Sequence, residues 1–238
     1  MKLRRLLLRG RSVGLSPTLT ARRAALPTPQ PIDSTPVDQA RLVVLDLETS
    51  GLDLQRDDIL SIGAVAIDGG TLHMADQFEC TLLRPAHRAS QATLLHEIAP
   101  SEVHTGRPAG EALLDLMEFA GRCVFAAFHA GFDQRMLSRG LRQDLNYRLQ
   151  HRFLDVAELA PMLFPEAARY CSTLDDWQQH FHLANSERHN AAADAQTTAE
   201  ILLILLHRAA RQGTATLAEL NNRLALWRRL NLVRSGGF

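Results

Sequence analysis

The sequence predicts a mixed α/β fold, in which a five-stranded sheet is flanked by helices. Three observations support this prediction. Three consecutive strand-like segments open the domain, a hairpin turn signal separates the second from the third, and strand and helix patterns alternate after them. Because a tight hairpin joins antiparallel neighbours, we expect the three N-terminal strands to be antiparallel.

The first three strands are predicted from their apolar runs. Residues 41–47 form a continuous apolar run that ends in acidic residues, as is typical of a central strand. Residues 59–67 form the second strand and residues 75–83 the third. The sequence Asp68-Gly69-Gly70 lies between them and is a hairpin turn signal.

Helices and strands alternate in the rest of the domain. In chain order they are a helix at 108–120, a strand at 123–128, a helix at 132–142, a short strand near Phe153 and a helix at 156–163. Ser172 or Thr173 can cap a helix that ends at His180, and Asn190 can cap a long helix from 191 to about 211. Residues 215–230 have the pattern of a basic, amphipathic last helix.

Charge and proline content divide the chain into three predicted regions. Residues 1–37 form a basic arm and a Pro-rich linker, residues 38–212 the central domain, and residues 213–238 a basic helical extension. The formal net charge is zero, but residues 33–207 carry 13 basic and 25 acidic residues. Such an acidic region repels nucleic acid unless it binds cations, whereas basic tails attract it or are simply solvated.

Several classes of protein are excluded by composition. No apolar run reaches the roughly 18 residues of a membrane span, so no membrane association is expected. The three cysteines are far apart, which argues against a disulfide framework and a thiolate zinc site. We expect a cytoplasmic bacterial protein; the Arg-rich start, MKLRRLLLRGRSVG, leaves mitochondrial import as an alternative.

Two carboxylates end the first strand. Asp46 and Glu48 are two residues apart, so their side chains point to the same face of the strand. Two like charges beside an apolar strand are costly to bury, and a bound divalent cation with oxygen ligands would relieve that cost. A solvated pair of acids at a strand end is the alternative interpretation.

Three further polar residues follow at helix starts. Asp133 lies in the first turn after the strand at 123–128, where an acid is also a common capping residue. His189 precedes the Asn190 cap, and Asp194 follows it within the first turns. Taken separately, each has an ordinary structural explanation. Together, four carboxylates and one histidine match the needs of two-metal phosphoryl hydrolysis, in which an imidazole accepts the proton of the attacking water.

Three motifs resemble those of the DEDDh superfamily of 3′→5′ exonucleases. They are VVLDLETSGL at 43–52, FHAGFDQRML at 128–137 and RHNAAADA at 188–195. Within the superfamily, the chain is similar to the epsilon proofreading subunits of bacterial DNA polymerase III over about residues 41–210. The resemblance implies a ribonuclease H-like fold, two Mg²⁺ or Mn²⁺ ions and release of nucleoside 5′-monophosphates.

The resemblance also implies roles for individual residues. Asp46, Glu48, Asp133 and Asp194 would be the metal ligands. His189 would be the general base, because the sister subfamily has a tyrosine at the position of Asn190. The implied substrate contacts are Thr49, Leu52 as a base-stacking wedge, His96 and His129. Departures from the family pattern at Ser50, Glu97 and Ala130 concern the fit of the substrate.

The expected partner is a nucleic acid with a free 3′ end. Single-stranded DNA is favoured and RNA is the alternative, since the same site chemistry serves both sugars. A protein partner at the C-terminal helix is also open. A non-catalytic adaptor on the same fold is the alternative from another class, but such a protein would have lost acidic residues that this chain retains.

Overall fold

A five-stranded mixed sheet forms the centre of the protein in a computed structural model, which describes residues 15–89, 92–184 and 189–235. The strands are β1 (Leu42–Thr49), β2 (Ile59–Asp68), β3 (Thr71–Thr81), β4 (Val124–Ala127) and β5 (Phe153–Asp155). Their spatial order is β3-β2-β1-β4-β5. The predicted strand number and mixed α/β class are confirmed.

The strand directions follow from the connections. β1 pairs with β2, and β2 with β3, in antiparallel fashion, whereas β1 with β4 and β4 with β5 are parallel. Gly69 and Gly70 form the predicted hairpin turn and have positive φ angles of 57° and 69°, which glycine adopts without strain. The carboxyl ends of β1, β4 and β5 therefore lie at one edge of the sheet.

Helices cover both faces of this sheet. They are α1 (Pro17–Ala24), α2 (Thr93–His96), α3 (Pro100–His104), α4 (Ala109–Ala120), α5 (Ala130–Leu145), α6 (Val156–Leu163), α7 (Leu174–His180), α8 (Ala191–Arg211) and α9 (Leu217–Ser235). The sequence did not predict α1, α2 or α3. Among the described residues, no helix is both long and apolar enough to cross a membrane.

Alternating residues of β1 face two separate cores. Leu42 and Val44 pack with α6, α8 and the start of α9 on one face. Val43, Leu45 and Leu47 pack with α4 and α5 on the other. Because side chains alternate along a strand, Asp46 and Glu48 continue the face that α8 covers.

The N-terminal segment lies against the central domain from residue 15 onward. The Ser16 side chain caps α1 by accepting from the Leu19 amide at 3.2 Å. Arg22 joins α1 to α4 through ion pairs of 2.6 Å with both Asp115 and Glu118. Residues 1–14 lie outside the described residues, and so does the Arg-rich start on which the mitochondrial alternative rests. The three-region division at 1–37, 38–212 and 213–238 stays a prediction.

The C-terminal helix packs on its own domain. Leu217, Leu220 and Leu224 are buried in the core on the α8 face, and Trp227 packs against that core. The Arg228 side chain also pairs with Glu158 on α6. The first half of α9 therefore packs within the chain, whereas Leu226, Leu230 and Leu232 further along the helix are exposed.

Candidate active site

Three carboxylates from two elements converge on the α8 face of the sheet. Asp46 and Glu48 on β1 are half-buried, and Asp194 on α8 is buried. One carboxylate oxygen from each lies within 4.8 Å of the other two. This distance is short enough for a single cation to contact several of the oxygens.

A glycine on β2 allows α8 to come this close. Gly63 pairs with Asp46 across the β1–β2 ladder. A methyl carbon added at Gly63 would lie 2.1 Å from the carbonyl carbon of Ala191 and 2.2 Å from the Ala192 nitrogen. The first turn of α8 thus rests directly on the β2 backbone, which carries Asp194 to the β1 acids. The role of Gly63 was not predicted from the sequence, since a glycine in a strand is only a general signal of close approach.

Asp133 lies beside this cluster rather than within it. It is in the first turn of α5, its side chain is buried, and the Leu47 backbone amide donates to it. Burial, and next the negative charge of Asp46, raise the pKa of Asp133 well above its usual range. The strand order explains this proximity, because α5 starts directly after β4, the neighbour of β1.

Asp155 is an additional half-buried acid that was not predicted from the sequence. It ends β5, caps α6 by accepting from the Ala157 amide at 3.0 Å, and adds to the rise in the pKa of Asp133. Burial, and next the charge of Glu158, raise the pKa of Asp155 itself. An acid at the carboxyl end of a strand is the same signal that identified Asp46, so the pattern was present in the sequence.

His189 is tied to the cluster through its backbone. Its amide donates to the Asp194 carboxylate at 3.1 Å, and its side chain is exposed. Its φ of 65° is in the left-handed region, which is uncommon for a residue with a side chain. The next residue, Asn190, caps α8 as predicted by accepting from the Ala193 amide at 3.0 Å.

His96 lies in the short helix α2 and is buried. Its Nδ1 accepts from the Ile98 amide at 3.1 Å, and within the described ranges its Nε2 has no hydrogen-bond partner. Burial lowers the pKa of His96, and the charges of His87 and His189 lower it further. Because the charge of His189 affects the pKa of His96, these two predicted site residues lie in the same region.

The other predicted substrate contacts lie at the end of β1, in the loop that follows it and at the start of α5. The Thr49 hydroxyl donates to the Gly51 carbonyl at 2.8 Å, so it shapes the loop after β1. Leu52 on that loop is 83% exposed, an uncommon state for a large apolar side chain. His129 is the exposed N-cap residue of α5, with a φ of 63°, and its charge acts on Asp155.

Solved structures share this fold. The chain resembles E. coli Exonuclease I in complex with a dT13 oligonucleotide, with a TM-score of 0.63 and 13% identity over 73% of this chain and 42% of that one. It also resembles the cell-death related nuclease CRN-4, with a TM-score of 0.60 and 15% identity over 75% and 66% of the two chains. At such identities the likeness concerns the fold, and it confirms the predicted ribonuclease H-like architecture.

Sequence comparison identifies the family. DNA polymerase III of the PolC type from Oceanobacillus iheyensis is 30% identical over 183 residues, which are 76% of this chain and 12% of that protein. The same enzyme from Thermotoga maritima is 29% identical over 189 residues, 79% of this chain and 13% of that protein. The chain thus spans about an eighth of the length of these relatives. The exonuclease family model matches residues 43–202, which contain all three motifs, and the chain therefore belongs to the exonuclease family.

Proposed function

We propose that this protein is a metal-dependent 3′→5′ exonuclease that releases nucleoside 5′-monophosphates from single-stranded DNA. The convergence of Asp46, Glu48 and Asp194 within 4.8 Å carries this proposal. Carboxylates held this close can bind divalent cations, which phosphodiester hydrolysis commonly employs. The domain division predicted from the sequence places all of this chemistry within residues 38–212.

The donor set fits Mg²⁺ or Mn²⁺. Asp46, Glu48, Asp133 and Asp194 offer carboxylate oxygens only, which are the ligands that hard cations prefer. Burial, and next the negative charge of Asp46, raise the pKa of Asp133, and a bound cation would favour its charged form. Two ions bound by these four residues would neutralise charge on the attacking and leaving oxygens of the scissile phosphate.

His189 is proposed as the general base. A histidine side chain accepts a proton near neutral pH, and this one is exposed on the loop that enters α8. The hydrogen bond that the His189 amide donates to Asp194 holds that loop against the carboxylates. His189 would take the proton of the attacking water, and the exposed ring would pass it to solvent.

The substrate end is proposed to contact the residues around the cluster. His96, whose buried Nε2 lacks a hydrogen-bond partner among the described residues, is proposed to contact the terminal nucleotide, and the exposed Leu52 to stack on its base. Thr49 and His129 lie at the ends of β1 and β4 that border the cluster. DNA is favoured over RNA because the relatives are DNA polymerases and the Exonuclease I structure contains a DNA oligonucleotide.

A degradation ladder tests this function. DNA and RNA oligomers of one sequence, labelled at the 5′ end, are incubated with the protein and Mg²⁺ or Mn²⁺, with and without EDTA. We expect stepwise shortening of DNA from the 3′ end, no reaction in EDTA and faster cleavage of DNA than of RNA.

Two variants make this test specific. Asp46→Ala should abolish cleavage, whereas Asp53→Ala removes an exposed acid from the loop after β1 and should retain it. Strong cleavage by Asp46→Ala in EDTA would refute the metal-dependent site. Cleavage of RNA alone would establish the alternative substrate, and cleavage of neither would favour a non-catalytic adaptor.

A further inference from the structure

Helix α5 carries a row of three arginines on the side away from the sheet, in which Arg135 and Arg142 are exposed and Arg139 is half-buried. Arg135, Arg139 and Arg142 are spaced by four and three residues, so they lie along one face of the helix. The side chains of Leu137 and Leu141, on the other face, are fully buried. Arg135, Arg139 and Arg142 are called the α5 arginine row below.

A cavity of about 380 Å³ lies against this row. Its lining consists of Gln134, Arg135, Ser138, Arg139 and Arg142. All five side chains carry hydrogen-bond donors, and none of them is acidic. A site with three guanidinium groups, an amide and a hydroxyl is suited to an anion with several oxygen acceptors.

The positive charge of the row is only partly compensated. The Arg139 guanidinium lies 3.7 Å from Asp58, and its Nε is buried without a hydrogen-bond partner among the described residues. Arg135 Nε donates to the Gly131 carbonyl at 2.7 Å, which fixes the side chain without neutralising it. Within the described ranges, neither Arg135 nor Arg142 makes an ion pair.

The row begins near the end of α5 that carries Asp133, on the opposite face of that helix, and Arg139 reaches Asp58 beside the start of β2. Arg135 follows Asp133 by two residues and Arg142 follows it by nine, which correspond to about 3 Å and about 14 Å along the helix axis. A cluster of carboxylates repels the phosphates of an approaching strand. A row of cations on the same helix would attract those phosphates and hold the strand next to the cluster.

We propose that the α5 arginine row binds backbone phosphates of the substrate strand, on the 5′ side of the nucleotide being removed. The inference rests on the proposed function and extends its substrate path beyond the terminal nucleotide. Guanidinium groups bind phosphate oxygens in a bidentate manner, so arginine suits this role better than lysine. Because phosphates carry no base identity, the row binds any sequence.

Binding measurements at varied salt test the proposal. The triple variant Arg135→Gln, Arg139→Gln, Arg142→Gln is compared with wild type. The probe is a fluorescein-labelled oligonucleotide of about 20 residues, with phosphorothioate linkages at its 3′ end to slow hydrolysis, and the readout is fluorescence anisotropy in Mg²⁺. Each lost phosphate contact lowers the slope of log K against log salt by about 0.7, so the slope should fall by about 2.

A control variant removes the same charge elsewhere. Arg148→Gln, Arg152→Gln, Arg211→Gln alters exposed arginines at or beyond the carboxyl-terminal ends of α5 and α8. It should bind with the wild-type slope. Equal slopes for the α5 variant and wild type would overturn the proposal, as would an equal loss in the control. Should the triple variant fold poorly, the double variant Arg135→Gln, Arg142→Gln keeps the Arg139–Asp58 pair and should lower the slope by about 1.4, two thirds of the change expected for the triple variant.

Two further measurements distinguish phosphate binding by the α5 arginine row from catalysis at the candidate active site. Hydrolysis of the p-nitrophenyl ester of thymidine 5′-monophosphate, which has a single phosphodiester, reports on the wild-type site without an upstream strand. If wild type cleaves neither ester nor oligonucleotide, the proposed function fails, whereas the salt slopes still decide the role of the row. Inorganic phosphate is titrated in parallel. Saturable phosphate binding that the triple variant loses, with unchanged oligonucleotide binding, would assign the row to a free anion and refute the strand path.

Discussion

Replacing Gly63 by alanine is expected to move Asp194 away from the β1 carboxylates. The added methyl carbon would lie 2.1 Å from the carbonyl carbon of Ala191, whereas ordinary contact begins at 3.4 Å. The first turn of α8 must therefore move by about 1.3 Å, or β2 must yield by the same amount. Asp194 follows Ala191 by three residues on the same rigid helix, so it moves too. A misplacement of about 1 Å at a catalytic group can cost about 100-fold in rate.

The assay measures metal dependence as well as rate. For Gly63→Ala, we expect kcat on a DNA oligonucleotide to fall at least about 100-fold, and the Mn²⁺ concentration for half-maximal activity to rise. A purely global defect would lower the fraction of folded protein without changing the metal requirement of the remainder. The fluorescence of the buried Trp177 and a thermal unfolding curve report whether the core is folded.

A matched glycine provides the control. A methyl carbon at Gly140 on α5 would meet the Ile59 and Leu113 side chains at 3.4 Å, and these ends of flexible side chains can shift. Gly140→Ala should keep kcat and the metal requirement near wild type. A folded Gly63→Ala variant with unchanged rate and metal dependence would show that α8 can be displaced without moving Asp194, and the reasoning would be refuted.

Three other predictions follow from the contacts of individual residues. His189→Ala should lower kcat by about 10²–10⁴-fold with little change in oligonucleotide affinity, and wild-type activity near pH 7 would exclude it as the base. Asp133→Asn should abolish activity yet stabilise the metal-free protein at pH 7. An acid whose pKa is higher in the folded than in the unfolded protein lowers the free energy of unfolding as pH rises between those two pKa values, by at most about 1.4 kcal/mol for each pH unit. Urea unfolding of wild type in EDTA should therefore show stability falling with pH, and the variant should show a smaller fall because only Asp155 then contributes. Arg22→Leu breaks the ion pairs to Asp115 and Glu118, so α1 should become cleavable by protease, and the free energy of unfolding in urea should fall by at most about 1 kcal/mol. If α1 is as protected from protease as in wild type, its apolar contacts are sufficient to hold it on the domain.

The antiparallel part of the sheet could be predicted because its signals are local. The hairpin at Asp68-Gly69-Gly70 joins strands that are neighbours in sequence and in space, so the turn residues alone fix the pairing of β2 with β3. The shared face of Asp46 and Glu48 follows from strand periodicity. The Asn190 cap marked the start of α8 to the residue.

The spatial neighbours of the carboxylates could not be predicted from local sequence patterns. Asp133 approaches Asp46 because β4 pairs with β1, and Asp155 approaches Asp133 because β5 pairs with β4. Both pairings join segments that are far apart in the chain, and no local pattern specifies them. The contact of Gly63 with α8 is non-local for the same reason.

Helix α1 shows a different kind of omission. Its start carries a recognisable signal, since Ser16 is a good N-cap residue and Pro17 occupies the first helical position. The surrounding residues are basic and Pro-rich, a composition that predicts an arm and a linker and not a helix. The docking of α1 depends on Asp115 and Glu118, which lie on another helix about a hundred residues away.

The candidate metal ligands lie on different kinds of structure from two other candidate site residues, Leu52 and His189. Asp46 and Glu48 belong to a central strand, and Asp194 belongs to a long helix that rests on the sheet backbone. Such elements hold positions closely, as cation coordination requires. Leu52 and His189 lie in loops, where the backbone adapts to ligands of varied shape. Substitutions in the strand and helix should therefore act on metal binding and kcat, whereas substitutions at Leu52 should act mainly on KM.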